Sequence, residues 1–124
     1  GSDKEYVASR YYIKIHGREE RQKSSGVLVS TPAGSYAWVK SSGGKKLKLS
    51  SRKFEYVVRE PYEGGLSGKY KLKRGILKHD KKVDIISDME KGLLVVDSLK
   101  EYFFNKKDKI SIKLGDKELN VAFF

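Results

Sequence analysis

The C-terminal stretch constrains the fold most. Ile110, Ile112 and Leu114 are apolar at every second position up to Gly115-Asp116, and Leu119, Val121 and Phe123 resume the alternation beyond it. Residues two apart share one face of a strand, so the pattern predicts an antiparallel hairpin with one buried face and a two-residue turn. The same period runs through Tyr11, Ile13 and Ile15 against Tyr12, Lys14 and His16, predicting a strand from about Tyr6 to Ile15. A charged loop is expected over Gly17 to Lys23, then a short run from Gly26 to Thr31, apolar at successive positions and so buried on both faces. Pro32 lacks the N–H that a sheet ladder needs and stops it.

Further strands are expected at Phe54 to Arg59, at Val83 to Ser87 and at Leu93 to Val96, the last central in its sheet. Pro61, Gly64, Gly65 and Gly68 mark a loop. Tyr70 to Lys73 and Ile76 to Lys78 flank Arg74-Gly75 and read as a lysine-edged hairpin. One helix is expected: Ser35 as N-cap, about two turns from Tyr36 to Ser42, and Gly43-Gly44 as a left-handed stop. No fixed repeat or sustained heptad appears, which leaves an all-β, multi-stranded, β-sandwich-like domain of about eight to ten strands with that one short helix.

Composition narrows the function classes. With 124 residues, 38% of them apolar, a single domain over residues 1–124 is expected. There is no cysteine, which excludes disulfides, cysteine zinc sites and thiol catalysis and is compatible with a cytoplasmic protein. The longest apolar runs, such as Leu93 to Val96, fall far short of the roughly 20 residues that span a bilayer, so no membrane partner is expected. Gly1-Ser2 followed by charged residues reads as the start of a piece cut from a longer protein. The net charge of +11 attracts polyanions, and Lys69, Lys71, Lys73, Arg74, Lys78, Lys81 and Lys82 crowd one segment, answered locally by Asp80.

The stretch from Ser24 to Trp38, followed by Ser41-Ser42-Gly43-Gly44, carries the chemistry of a ligand loop. A buried strand delivers the chain to a Pro-Ala-Gly turn that opens a helix, whose first N–H groups are unpaired, with the hydroxyls of Ser30, Thr31 and Ser35 nearby. Small residues at Ala33, Gly34 and Ala37 admit a ligand to the backbone, and Tyr36 or Trp38 offers a ring to pack on. The same residues also make an ordinary capped helix with a tryptophan filling the core. His16 and His79, the only histidines, suggest neither a metal site nor the base of a serine triad, and no Gly-x-Gly-x-x-Gly fingerprint is present.

This stretch resembles the signature of the C-terminal domain of NAD kinases, which runs as Asp-Gly, an apolar strand, Ser-Thr-Pro-Thr-Gly-Ser-Thr-Ala-Tyr and later Ser-Ala-Gly-Gly. Gln22 to Gly26, Trp38 and Arg59-Glu60-Pro61 are similar to a divergent branch that includes mitochondrial-type members. Gly92 to Ser98 and Asp108 to Ile112 resemble two later strands of the family, so the likeness spans most of the chain. The resemblance implies NAD contacts at Ser25, Ala33, Gly34, Ser35, Tyr36, Ala37, Trp38 and Ser41, with Thr31 and Asp97 as further candidates. Ser25 stands where the family has Asp, Ala33 and Tyr36 where it has Thr, Trp38 where it has Tyr, and Ser98 where it has Gly. Ser25 can exchange hydrogen bonds but brings no negative charge to a ribose or nicotinamide.

The family's catalytic Gly-Gly-Asp-Gly-Thr segment and its Asn-Glu or Asn-Asp pair belong to a preceding N-terminal domain and do not occur in this sequence. The resemblance therefore implies no catalytic residue in this chain and no activity of the chain alone. In the intact enzyme it implies phosphoryl transfer from ATP or polyphosphate to the 2′-hydroxyl of the adenosine ribose of NAD, giving NADP, with a divalent metal such as Mg and as a homo-oligomer. Two other classes remain open on the residues: a basic nucleic-acid-binding β module built on Tyr70 and Arg74 among lysines, and a structural oligomerisation domain.

Overall fold

The computed structural model describes residues 9–31, 52–64, 68–88, 92–96, 100–104, 108–115 and 119–123. Within them the chain forms ten strands: β1 (Ser9–Ile15), β2 (Arg18–Ser24), β3 (Gly26–Ser30), β4 (Lys53–Arg59), β5 (Arg74–Lys78), β6 (Lys82–Ser87), β7 (Gly92–Val96), β8 (Lys100–Phe104), β9 (Lys109–Leu114) and β10 (Leu119–Phe123). They build two five-stranded sheets, ordered β10-β9-β6-β1-β2 (sheet I) and β5-β4-β3-β7-β8 (sheet II). Every pairing is antiparallel except β3 with β7, which is parallel.

The sheets share one core. Tyr11, Ile13, Val83, Ile85, Ile110 and Ile112 of sheet I meet Val27, Val29, Phe54, Tyr56 and Leu77 of sheet II in a single buried cluster. Each such side chain taken fully out of water contributes about 1.5–3 kcal/mol, which makes this contact the main driving force for the sandwich. The period-two alternation of β1 and β9 is the signature of sheet I, with one face inward. β3 is buried at all five positions and lies between β4 and β7, as its unbroken apolar run requires. β7 is likewise interior to sheet II.

Three local expectations are corrected. Gly17 to Lys23 is not a loop: Arg18 onward is β2, paired with β1 through the two-residue turn His16-Gly17. Both turn residues have positive φ, 53° and 74°, the backbone of a hairpin turn whose twist matches its strands. β2 hides from an apolar count because the side chains it buries are polar, Gln22 and Ser24. Arg74-Gly75 is not a turn: both lie inside β5, where Gly75 is registered opposite Tyr56, and a Cβ on Gly75 would stand 2.8 Å from the Tyr56 ring. This glycine makes room for a ring in the core. The terminal hairpin pairs Leu114 with Leu119, leaving four residues rather than two between its strands. The expected helix over Tyr36 to Ser42 lies outside the described residues.

The non-strand segment around Tyr70 to Lys73 is held by carboxylates. Glu20 accepts backbone N–H bonds from Lys71 (2.9 Å) and Leu72 (3.0 Å) and a side-chain bond from Gln22 (2.7 Å). Burial opposes its ionisation, yet these donors prevail and hold its carboxyl below the usual range. Gln22, almost fully buried, also donates to Leu72 O (2.8 Å) and accepts from Tyr11 Oη (2.8 Å), whose hydroxyl meets Ser24 Oγ at 2.7 Å. Burial pushes the Tyr11 phenol well above its ordinary value, so it stays protonated. Burial likewise pushes Tyr56 up to about 12.

Candidate dinucleotide-binding site

Of the candidate site residues, the structure describes Ser25 and Thr31; Ala33, Gly34, Ser35, Tyr36, Ala37, Trp38, Ser41 and Asp97 lie outside the described residues. Ser25 occupies the single-residue corner where the chain leaves β2 in sheet I and enters β3 in sheet II. Gly26 follows it with φ 147°, a conformation L side chains rarely adopt, which explains why a glycine stands there. Ser24 pins the corner: its Oγ accepts from Gly26 N (3.1 Å) and donates to Gly26 O (3.2 Å). Ser25 N donates to Arg59 O at 2.9 Å, docking the corner on the end of β4.

The Ser25 hydroxyl donates to Glu60 Oε1 at 2.8 Å in an exposed contact. Glu60 has φ 46°, a left-handed backbone that is uncommon outside glycine and turns its residue off the end of β4. The negative charge that the Ser25 position lacks thus stands one hydrogen bond away. In the sequence, Glu60 stands out as part of the Arg59-Glu60-Pro61 likeness and as one of several acidic residues, and nothing local ties it to Ser25. The pairing of Gly26 with Arg59 across β3 and β4 brings the two segments together, and that register was not legible beforehand. Next to the corner, Tyr62 N donates to Lys23 O (2.8 Å), Lys23 Nζ lies 4.9 Å from the centre of the Tyr62 ring, and Tyr62 is 51% exposed. A carboxylate, a hydroxyl, an ammonium and an open aromatic ring therefore share one surface.

Thr31 is elsewhere. It directly follows β3, is buried, and lies six residue steps beyond Ser25 along extended chain, about 20 Å at roughly 3.3 Å per residue. The described residues stop at Thr31 and resume at Arg52, which precedes Lys53 of β4. Among the described residues, no group of three or more His, Asp or Glu could hold a metal ion, so none of them is assigned to the divalent metal. No described helix is long and apolar enough to cross a membrane.

Comparison with known proteins agrees with this architecture. No family model matches the chain. It is 35% identical over 75 residues to a probable NADH kinase of Oryza sativa subsp. japonica, a match covering 60% of the chain and 23% of the relative. It is 28% identical over 104 residues to an NAD kinase of Thermoplasma volcanium (82% of the chain, 36% of the relative). A third relative, an NADH kinase of Arabidopsis thaliana, is 30% identical over 100 residues (80% and 31%). The chain is NAD kinase-like in sequence. Among solved structures, yeast NADH kinase complexed with NADH superposes with a TM-score of 0.69 at 21% identity, covering 94% of this chain and 33% of that one. An NAD kinase from Archaeoglobus fulgidus in complex with ATP gives 0.69 at 22% identity, covering 98% and 45%. The all-β sandwich is therefore a fold shared with part of these kinases. The chain spans between about a quarter and a little over a third of the length of the curated relatives it matches.

Proposed function

We propose that this chain is the NAD-binding β domain of an NAD kinase-like enzyme, which moves a phosphoryl group from ATP or polyphosphate to the 2′-hydroxyl of the adenosine ribose of NAD and yields NADP. The observation that carries the reading is agreement in kind: the sequence relatives and the superposed structures are NAD or NADH kinases, and each covers most of this chain. Phosphoryl transfer requires positioned phosphates, charge neutralisation and activation of the attacking hydroxyl. This chain supplies the other half of the task, holding the acceptor dinucleotide through Ser25 with its partner Glu60 and through Thr31, Ala33, Gly34, Ser35, Tyr36, Ala37, Trp38, Ser41 and Asp97. An N-terminal kinase domain, with Mg and the phosphoryl donor, completes the cleft, and the intact enzyme is a homo-oligomer.

The test is NADP formation by the intact protein that carries this chain, with NAD and either ATP or polyphosphate. The reading expects NADP from the intact protein and none from the chain alone. It also expects the KM for NAD to rise at least tenfold in Gly34→Val, which fills the close approach to the backbone. No NADP with either donor, or an unchanged KM in Gly34→Val, would overturn it.

A further inference from the structure

One concave surface lies apart from the Ser25 corner. A cleft of about 430 Å³ is lined by His16, Gly17, Asp80, Lys81, Lys82 and Lys113. Three separate parts of the chain converge there: the β1–β2 turn, the 79–81 connection that carries the chain from sheet II to sheet I with the start of β6, and the C-terminal end of β9.

Its charge is unbalanced in an unusual way. Lys82 and Lys113 are direct cross-strand partners on β6 and β9. Like charges placed opposite each other destabilise a sheet pair, and an anion bridging them relieves the repulsion. The available countercharge is thin. Asp84 lies 3.6 Å from Lys82 Nζ, but its other oxygen is engaged by Ser111 Oγ, and it does not line the cleft. Of the residues lining it, Asp80 alone is acidic, against three lysines. Lys81 is fixed by its N–H bond to Lys78 O (3.0 Å), and His79 N ties the same connection to Arg52 O (3.0 Å). The backbone supporting the cations is thus built before any ligand arrives.

We infer that this cleft binds a chain of phosphoryl oxyanions, with Lys82 and Lys113 bridged by one phosphoryl group and Lys81 and His16 contacting the next. The chemistry is that of point-charge ammonium groups around a multiply charged, flexible anion, which is how lysine differs from the forked arginine. The site stands on the cross-strand lysine pair and the cleft, independently of the dinucleotide reading. It lies at the same end of the sandwich as Arg52, whose carbonyl accepts from His79 N beside the cleft. A free oligophosphate and the phosphate tail of a nucleotide share this chemistry.

The experiment is calorimetric titration of inorganic tripolyphosphate, and separately of ATP, into the 124-residue chain at about 50 and 150 mM salt. Two charge-matched double variants are compared: Lys82→Ala with Lys113→Ala in the cleft, and Lys69→Ala with Lys71→Ala, exposed positions outside it. All four lysines are exposed, so both variants are expected to keep the parent circular dichroism spectrum and melting temperature. The inference expects the cleft variant to lose at least tenfold in tripolyphosphate affinity and the control less than threefold. Equal affinity for ATP would identify the phosphate chain as sufficient, and a preference for ATP that is also lost in the cleft variant would identify a nucleotide tail. Equal losses in the two variants, or no saturable tripolyphosphate binding by the parent chain, would overturn the assignment.

Discussion

Replacing Gly75 by alanine tests the account of β5. An alanine Cβ would stand 2.8 Å from Cε1 of Tyr56, a ring only 4% exposed in the core between the sheets. Real carbon atoms do not approach so closely, and a packed ring has no free end to swing aside, so the backbone of β5 or the ring must shift. Overpacking of this kind costs about 1–3 kcal/mol. Against it stands the gain from stiffening the unfolded chain, about 0.4–1 kcal/mol for glycine to alanine where the native backbone tolerates it, and Gly75 is not among the positive-φ glycines. The balance is a loss of about 1–2 kcal/mol, or roughly 4–8 °C in melting temperature for a domain of this size.

The assay is chemical and thermal denaturation of Gly75→Ala, Tyr56→Leu and the double variant. Tyr56→Leu alone opens space in the core and costs roughly 2–4 kcal/mol. With the ring gone, the 2.8 Å clash is removed, so Gly75→Ala is expected to be neutral or stabilising in that background, giving a coupling of about 1–2 kcal/mol. A Gly75→Ala protein as stable as the parent would refute the steric reasoning. So would an equal loss in both backgrounds, which would mean that a backbone need of Gly75 itself is responsible.

Three further outcomes follow. Gln22→Ala removes the amide that joins Tyr11, Glu20 and Leu72, leaving a buried carbonyl and an acidic partner without their donor, and is expected to cost about 1–3 kcal/mol in urea denaturation. Glu63 is held below the ordinary carboxylate range by the Lys73 ammonium, and Glu20 lies below it despite burial. A lowered folded value means stability present above the unfolded value near 4.5 and lost as pH falls through the folded one, so urea midpoints taken across that acid range are expected to decline, and Glu20→Gln to flatten the decline. Glu60→Gln leaves a neutral amide beside Ser25 at an exposed position, and is expected to leave the melting temperature unchanged while weakening NAD binding roughly three- to tenfold in the intact protein, measured by titration.

Legibility in the sequence followed apolar period. β1, β3, β4, β6 and the terminal pair β9 and β10 declare themselves because each sends hydrocarbon side chains into the shared core, and β7 because its sequence is an unbroken apolar run. β2 does not, because Gln22 and Ser24 are buried through hydrogen bonds to partners that only the folded register supplies. Gly75 misleads because a glycine beside an arginine suggests a turn, while its actual reason, the Tyr56 ring, sits across a strand pair nineteen positions away. The Ser24-Ser25-Gly26 segment was legible as a motif, but its partner Glu60 was not. Nothing local says that Ser25 and Glu60, 35 positions apart, share a hydrogen bond until β3 is registered against β4.

The central claim is that this β domain holds a dinucleotide by hydrogen bonds and packing rather than by its net charge of +11. Calorimetric titration of NAD into the intact protein and its Gly34→Val variant, at about 50 and 150 mM salt, tests it most directly. The account predicts saturable binding whose affinity changes less than about threefold with salt and falls at least tenfold in the variant. Absence of NAD binding, or binding that collapses with salt and is untouched by Gly34→Val, would contradict it.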